Sequence, residues 1–389
     1  MLTPPPLHDP QFHAGDPFPA FRELRTQAPV YWHPTPGFWA LTRHEDVVAV
    51  SRDPETFCSS RGILLSDIER PVVPRQSIIY IDPPEHAKYR KLVQPAFSPG
   101  RLRALEERIA QLVRELLSGI EEGRPTEFVE AFAAPLPLLV IADMLGVPGA
   151  DRARFKRWSD AIIEAGTLPS PENMSQSVEL LDYFGKVIDE RRERPGDDLI
   201  SVLVHSEIDG ECLEDFDLMM FCMTLLVAGN ETTRNLLSHG ALALASYPDQ
   251  CVLLRRDTTL LPRAVEEMLR WGSPVSSFMR VATRETQIRG TSIREGDRLL
   301  LLYAAANRDE DVFGADAEDF SAVRDASRHV AFGFGEHFCL GAQLARMEAR
   351  IAFAQLLARF GRWQLAGEVK RLPSLFMRGI VHLPLSLSR

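Results

Sequence analysis

The segment from Asp215 to Tyr247 contains no proline and ends immediately before Pro248. At 1.5 Å per residue it predicts a helix roughly 50 Å long, enough to cross a whole domain. Its longest apolar run, Leu218 to Gly229, has 12 residues and gives way to Asn-Glu-Thr. That run is too short to span a bilayer and is typical of a buried core helix. We therefore expect one long, buried helix that crosses the domain.

Helix and strand patterns are unevenly distributed around this segment. Helix-like patterns dominate from about residue 45 to 274 and return over 341–360. Two aromatic and β-branched runs within 29–44 flank a Thr-Pro-Gly turn and predict a hairpin, and 281–306 contains two further strand-like runs. No internal repeat or linker divides the chain. We expect a single domain, mainly α with a small β portion.

Charge and cysteine content narrow the class of protein. The formal net charge of −10 disfavours nucleic acid as a partner, because phosphate binding requires a basic face. The start of the chain lacks the basic and apolar regions of a signal peptide, and we expect a soluble, cytoplasmic protein. The five cysteines are scattered, which fits a reducing cytoplasm and not a clustered zinc or iron–sulfur site.

One cysteine, Cys339, lies in a glycine-rich loop directly before a periodic helix. A lone cysteine is most often a small buried hydrophobic residue. The Gly-x-Gly of the loop is not a dinucleotide fingerprint, because Phe338 stands where a third small residue is needed. The N-terminus of a helix stabilises a thiolate, and glycines let the backbone approach a flat ligand closely. With Phe332, Phe334 and Phe338 as an apolar shell, such a thiolate suits a haem iron.

This loop resembles that of a known protein family. Residues 332–341, F-G-F-G-E-H-F-C-L-G, match position for position the F-x-x-G-x-[HR]-x-C-x-G loop of cytochrome P450 enzymes. The resemblance extends from about Pro29 to the C-terminus. It implies the cytochrome P450 fold, haem b (iron protoporphyrin IX) as the cofactor, and Cys339 as the axial ligand of the iron. Phe332 and Gly333 are implied to contact the haem.

The resemblance also gives a role to three charged residues. Glu267 and Arg270 have the i,i+3 spacing of an ion pair, and most such pairs are solvated and contribute little. In the family, the same E-x-x-R is a buried structural clasp that an arginine before the cysteine loop completes. Arg324 stands at the matching position.

Four further residues are candidates for binding the two haem propionates, which need cationic or hydrogen-bonding partners. His86 and Arg90 are one helical turn apart, and the family uses this H-x-x-x-R for the propionates. It also uses an arginine after the E-x-x-R helix, here Arg280, and the loop histidine, here His337. Without the family, each would be interpreted as a surface residue.

The long helix contains an unusual stretch, Ala228-Gly229-Asn-Glu231-Thr232-Thr233. Glycine costs roughly 1 kcal/mol in a helix interior, and a threonine hydroxyl can bond the carbonyl four residues back and distort the helix. The stretch alone is compatible with a helix reaching its solvated half. The resemblance implies an oxygen-binding groove at Ala228 and Gly229, with Glu231 and Thr232 as a catalytic acid and alcohol.

The resemblance implies a monooxygenase that inserts one atom of O2 into an organic substrate. Alternatives are a haem-thiolate peroxygenase, a cytochrome P450 with an atypical outcome such as desaturation, and a non-catalytic haem sensor. Glu231 and Thr232 argue against the peroxygenase, because peroxide use needs no such proton relay. With the haem domain accounting for 1–389, we expect electrons from a separate ferredoxin and its reductase.

A basic segment offers a docking place for an acidic ferredoxin. Residues 84–108 carry six lysines and arginines against three glutamates, and we expect Arg346 to join them. The alternative is a solvated run of charges.

The substrate pocket is expected to be apolar. In this fold its walls would come from 63–65, 161–185, 225–228, 275–278 and 376–377, with Leu225, Val275, Phe278, Phe376 and Met377 as candidates. Such walls favour a hydrophobic substrate. Two segments loosely resemble cytochromes P450 that oxidise sterol side chains and methyl-branched lipids, and terpenoids and fatty acids remain open.

Overall fold

The computed structural model of the protein describes residues 4–69, 72, 77–167, 170–208 and 210–389. The α-helices in this part of the chain are α1 (Pro10–Ala14), α2 (Phe18–Gln27), α3 (His44–Ser51), α4 (Glu85–Val93), α5 (Pro99–Ser118), α6 (Pro135–Met144), α7 (Arg152–Thr167), α8 (Pro171–Glu193), α9 (Leu199–Val204), α10 (Asp215–Ser246), α11 (Pro248–Arg256), α12 (Leu261–Gly272), α13 (Tyr303–Ala306), α14 (Glu310–Phe313) and α15 (Ala342–Arg359). The strands are β1 (Val30–His33), β2 (Phe38–Leu41), β3 (Phe57–Cys58), β4 (Pro125–Glu127), β5 (Glu207–Ile208), β6 (Glu211–Cys212), β7 (Phe278–Ala282), β8 (Thr286–Ile288), β9 (Thr291–Ile293), β10 (Arg298–Leu301), β11 (Arg362–Leu365), β12 (Lys370–Arg371), β13 (Ile380–His382) and β14 (Pro384–Ser388).

Helix α10 is the central element, as its sequence predicts. It spans 32 residues and packs against α6, α8, α12 and α15. It ends at Ser246 because Tyr247 precedes a proline, which disfavours helical geometry in the residue before it. The second half of the helix, from Asn235 to Leu244, is buried throughout. The expectation of a long, buried helix is confirmed.

The β portion is small, and its largest sheet has five strands. Its strand order is β1-β2-β10-β7-β3, with β2 and β10 parallel and the other pairs antiparallel. The predicted hairpin is β1 and β2, joined by a turn in which Gly37 has φ of 96°. Strands β11, β14 and β4 form a second, antiparallel sheet. The mainly α fold with a small β portion is confirmed.

The structure differs from the sequence pattern in four short segments. Strand β3, strand β4 and the hairpin β5–β6 lie inside the region that the pattern assigns to helices. Conversely, Tyr303–Ala306 forms a helical turn at the end of a run expected to be strand. Each of these elements has two to four residues, too few for hydrophobic periodicity to determine their type.

Three helices meet closely at Gly240 in α10. A methyl group there would collide with the ring of Phe353 in α15 and would lie 2.8 Å from the Met268 sulfur in α12. Helix α12 carries the predicted clasp, and α15 follows the cysteine loop. The contact at Gly240 therefore sets how closely the helices that carry the site can approach.

No helix in the described part of the chain combines the length and the apolar character needed to cross a membrane.

We predict that Gly240→Ala lowers the free energy of unfolding by about 1–3 kcal/mol, because the added methyl group overpacks the three-helix contact. Gly185→Ala in α8 is the matched control, since its new methyl group would meet only the Met219 sulfur, at an ordinary 3.7 Å. Relief of the glycine penalty should stabilise that variant by up to about 1 kcal/mol. Chemical denaturation of the haem-loaded proteins measures both changes. Equal effects of the two substitutions would contradict the packing explanation.

Candidate functional site

The loop around Cys339 follows a path that requires two glycines. Gly333 and Gly335 have φ of 72° and 73°, in the left-handed region that other residues avoid. A side chain at Gly335 would also collide with the backbone of Ser51 at the end of α3. The backbone N–H of Cys339 donates to the carbonyl of Phe332 over 2.9 Å and closes the loop. The glycines thus allow the turn that presents the cysteine ahead of α15.

The thiol of Cys339 experiences opposing electrostatic effects. Burial raises its pKa, while a hydrogen bond from the Gly341 backbone N–H and the charges of Arg90 and Arg346 act to lower it. The side chain lies deep in the protein and yet keeps accessible surface. Cys339 therefore faces an interior space, with one backbone donor and two cations placed to favour its anionic form.

The middle of α10 also offers accessible surface, although the helix belongs to the core. Val227 is 36% exposed and Ala228 is exposed, whereas Asn230 and Glu231 just after them are buried. Accessible side chains at the centre of a core helix indicate an interior space beside it. Together with the accessible thiol, this stretch supplies the sulfur ligand and the apolar surface that a haem requires. The chemistry of these groups fits the expected cofactor.

The three phenylalanines of the loop divide into two groups. The rings of Phe332 and Phe338 are 6.2 Å apart in an edge-on arrangement, and the Arg346 guanidinium lies 4.6 Å from the Phe332 ring. Phe334 instead lies under Arg52 and packs on the core of the five-stranded sheet. The expected apolar shell around the sulfur thus has Phe332 and Phe338 as candidates, while Phe334 anchors the loop to the sheet.

The four candidate propionate ligands come together in the structure. The His86 and His337 rings are 4.3 Å apart, and Arg90 donates to the Glu336 carbonyl over 3.1 Å. Burial and the neighbouring Arg280, His86 and Arg90 together lower the pKa of His337 to about 2. Burial and the neighbouring Arg90 lower the pKa of His86 to about 4. Two arginines therefore supply the positive charge, and two neutral histidines supply hydrogen-bonding groups.

Two residues beside this cluster carry no sequence signal of their own. The Ser59 hydroxyl is 3.1 Å from His337 Nε2, and Asp82 accepts hydrogen bonds from the backbone N–H groups of Ser59 and Ser60. Asp82 thus fixes the segment that contacts the loop histidine. Only the folded structure brings residues 59, 82 and 337 into one place.

The predicted clasp residues form an ion cluster with a fully buried centre. Glu267 and Arg270 are both 0% exposed and share two hydrogen bonds, of 2.6 and 2.8 Å. Arg324 Nε donates to the same carboxylate over 3.2 Å. Arg270 also donates to the carbonyls of Asn307, Ala317 and Asp319. The three charged residues therefore tie α12 to the segment that leads into the cysteine loop.

The side chains of Glu231 and Thr232 on α10 differ in their surroundings. The Thr232 hydroxyl is partly exposed and donates to the Ala228 carbonyl one turn back. The Glu231 carboxyl is buried, with Oε2 3.0 Å from Arg234 Nη1 and with Oε1 accepting from Asn235 over 3.3 Å. Burial raises the pKa of Glu231, against the effect of Arg234. The structure thus keeps a hydroxyl accessible and a carboxyl protected next to it in sequence.

Gly229 has a packing explanation that differs from the expected one. A methyl group there would lie 2.8 Å from Ile141 Cδ1 in α6. The absence of a side chain is therefore required by the close approach of α6, and not by room for a ligand on that side of the helix.

Several candidate pocket residues lie close together. Val275 and Met377 form an isolated antiparallel bridge, and the Ser276 N–H donates to the Phe376 carbonyl over 2.7 Å. Leu225 is partly buried on α10, and Phe278 contacts Tyr303 at a ring separation of 6.1 Å. Of the candidate range 161–185, residues 168 and 169 lie outside the described residues.

The expected ferredoxin-docking cations are only partly available. Arg346 makes two hydrogen bonds, of 2.7 and 2.8 Å, to Glu266, and Arg108 pairs with Asp143 over 2.7 Å. The expectation that Arg346 adds a free cation to the basic segment is therefore wrong. Lys91 and Arg103 remain exposed.

Comparison with known proteins gives one consistent result. The family model described as cytochrome P450 matches residues 172–388. The chain is 39% identical to the methyl-branched lipid omega-hydroxylase of Mycobacterium tuberculosis (strain ATCC 25618 / H37Rv), over 95% of this chain and 90% of that protein. It is 36% identical to linalool 8-monooxygenase of Pseudomonas putida, over 97% and 98%. The crystal structure of CYP109E1 from Bacillus megaterium in complex with testosterone matches with a TM-score of 0.87 and 37% identity, over 95% and 99%.

We predict that Glu267→Gln destabilises the protein by about 3–5 kcal/mol, because it leaves Arg270 buried without its counter-charge. Glu266→Gln is the matched control: it changes charge equally at the adjacent position, where the side chain is 21% exposed. The midpoint of urea unfolding and the rate of haem loss measure the difference. A Glu267→Gln variant no less stable than Glu266→Gln would show that the clasp does not hold the loop.

Proposed function

This chain belongs to the cytochrome P450 family, and we propose that residues 1–389 form a single haem-thiolate monooxygenase domain in which Cys339 is the axial ligand. Members of this family bind haem b and are monooxygenases, so the reaction type and the cofactor follow from membership. We propose which residue of this chain fills each role, which class of substrate it oxidises and which protein donates the electrons.

The observation that carries the ligand assignment is the environment of Cys339. Its thiol lies deep in the protein, keeps accessible surface, and is approached by one backbone N–H and two guanidinium groups. A thiolate needs this kind of electrostatic support when it is removed from water. When bound, the haem activates O2 for insertion into a C–H bond. We assign Phe332 and Gly333 to the backing of the haem beside the sulfur.

The cation cluster of α4 and the loop is assigned to the haem propionates. Arg90 and Arg280 carry permanent charges, and a carboxylate arriving beside them would favour protonation of His86 and His337. Charge-assisted hydrogen bonds of this kind fix orientation as well as affinity.

Thr232 and Glu231 are assigned to proton delivery. The Thr232 hydroxyl is accessible and rests on the Ala228 carbonyl, so a rotation of its side chain frees it to donate toward the interior space. Burial keeps Glu231 protonated to higher pH than an exposed carboxyl, and so able to release a proton. Arg234 and Asn235 are the neighbours that hold the Glu231 carboxyl.

We propose a hydrophobic small molecule as the substrate, in the class of branched lipids, terpenoids and sterols. The candidate wall residues Leu225, Val275, Phe278, Phe376 and Met377 are all apolar. The names of the similar proteins refer to a methyl-branched lipid, linalool and testosterone, which are all largely hydrocarbon. Substrate-induced shifts of the haem absorption, screened across these three classes, would identify the preferred one.

We propose that a ferredoxin delivers the electrons. The family requires a redox partner, and the exposed cations Lys88, Lys91, Arg101 and Arg103 on α4 and α5 suit an acidic one. Lys88 already forms an exposed pair with Glu211 over 3.3 Å, which limits its contribution.

We predict that Cys339→His abolishes the long-wavelength absorption of the reduced CO complex that thiolate ligation produces. Cys212→Ser is the control, because Cys212 is an exposed free thiol on β6. Optical spectra of the reduced, CO-saturated proteins give the answer. Retention of the thiolate band in Cys339→His would disprove the ligand assignment.

We predict that Thr232→Ala binds haem, substrate and CO normally but releases most consumed electrons as hydrogen peroxide, with little oxidised product. Thr232→Ser retains the hydroxyl and should stay coupled. The measurement is the ratio of product to reductant consumed, with a peroxide assay in parallel. Full coupling in Thr232→Ala would assign proton delivery to other groups. Product formed as readily from peroxide alone as from O2 and reductant would favour the peroxygenase.

A further inference from the structure

A cavity of about 660 Å³ lies between the N-terminal segment, the end of α12 and strand β12. None of the residues assigned to the haem or to the substrate lines it. Its charged lining consists of four arginines against two carboxylates, which leaves two positive charges in excess: Arg22, Arg308, Arg371 and Arg378, with Asp16 and Glu318. This excess is notable in a protein whose formal net charge is −10.

One carboxylate serves several of these cations. Glu318 lies 3.1 Å from Arg308 Nε, 3.3 Å from Arg22 and 3.3 Å from Arg25, although Arg25 also pairs with Glu310 over 2.9 Å. Arg308 is only 2% exposed, so water does little to solvate its charge. Among the described residues, Glu318 is the one carboxylate paired with both Arg22 and Arg308, and a single negative charge does not neutralise two guanidinium groups.

Hydrogen bonding in the cluster is incomplete as well. Among the described residues, Nη1 of Arg308, Nε of Arg371 and Nε of Arg378 are buried without a hydrogen-bond partner, while Arg308 Nε has its ion pair with Glu318. Burial and the charge of Arg371 together lower the pKa of Arg378 to about 9. The Phe18 ring lies 3.5 Å from Arg308 and 4.5 Å from Arg378 and offsets part of this cost through cation–π contact. Unpaired buried donors and mutual repulsion together mark a place that an anion would stabilise.

We propose that this cavity binds a phosphate group. Guanidinium groups match the oxygens of phosphate in planar, paired hydrogen bonds, and a dianion would offset the two excess charges. The cavity is larger than orthophosphate requires, and Phe18, Tyr247 and Trp271 supply apolar lining for the organic part of a phosphate monoester. The proposal does not depend on the monooxygenase assignment.

Binding would also bear on the substrate pocket. The Arg378 N–H donates to the Pro274 carbonyl over 2.9 Å, and Arg378 follows Met377, which bridges Val275. A ligand held by Arg378 would therefore stabilise the segment that carries Phe376 and Met377.

Arg371→Gln is the variant that tests the site, because Arg371 is only partly buried and lies on the short strand β12. Lys370→Gln is its matched control, with the same change of charge at an exposed neighbouring position. Calorimetric titration of the haem-loaded proteins, at constant ionic strength set with chloride, uses inorganic phosphate in one arm and glycerol phosphate in the other. Melting temperatures without phosphate are recorded in parallel.

We expect one saturable site in the wild-type protein and in Lys370→Gln, with affinity about tenfold weaker in Arg371→Gln, as loss of one charged hydrogen-bond donor implies. The arm that binds more tightly identifies the source of the phosphate. Without phosphate, Arg371→Gln should melt no lower than the wild type, because it removes a repulsion from Arg378; a purely structural arginine would give a lower value. Absence of saturable binding in both arms, or unchanged affinity in Arg371→Gln, would overturn the proposal and leave the cavity to water.

Discussion

The buried carboxylate of Glu267 is the contact that ties α12 to the chain leading into the cysteine loop. It accepts hydrogen bonds from Arg270, which is fully buried, and from Arg324 and the Ser321 backbone, which are partly buried. Through Arg270 the constraint reaches the Asn307 carbonyl, and the Asn307 side chain accepts from the Val330 N–H over 2.8 Å. Val330 stands at the start of the cysteine loop. One charged cluster therefore connects a core helix to the segment that presents the thiol.

In the cluster beside the cysteine loop, positive charge and hydrogen-bonding capacity come from different residues. Arginines carry the permanent positive charges, while burial keeps His86 and His337 neutral in the protein alone. A neutral imidazole still donates one hydrogen bond, and its protonation becomes easier when an anion approaches. In the proposed role, the cluster can therefore bind the two haem propionates, and before they bind it does not suffer the mutual repulsion of four adjacent cations.

Much of this arrangement could be predicted from the sequence. Features set by local patterns could be predicted, whereas features set by contacts between distant residues could not. The length and burial of α10 follow from the absence of proline and its apolar run, and the hairpin follows from its turn residues. The burial of Glu267 does not follow from its spacing to Arg270, which is equally typical of an exposed pair; it depends on carbonyls some 40 to 50 positions away in the chain. The contacts of Gly229 and Arg346 could not be predicted for the same reason. Their neighbours, Ile141 and Glu266, are set by tertiary packing.

The bridge between Val275 and Met377 joins two chain segments about 100 positions apart without involving the ion cluster or the loop glycines. Mutations at the proposed wall residues Phe376, Met377 or Val275 would therefore change the proposed substrate pocket while leaving the parts assigned to the haem intact. If these residues line the pocket as proposed, a few apolar exchanges would be enough to change substrate preference without altering the oxidising centre. For enzyme engineering, these positions are the natural first library.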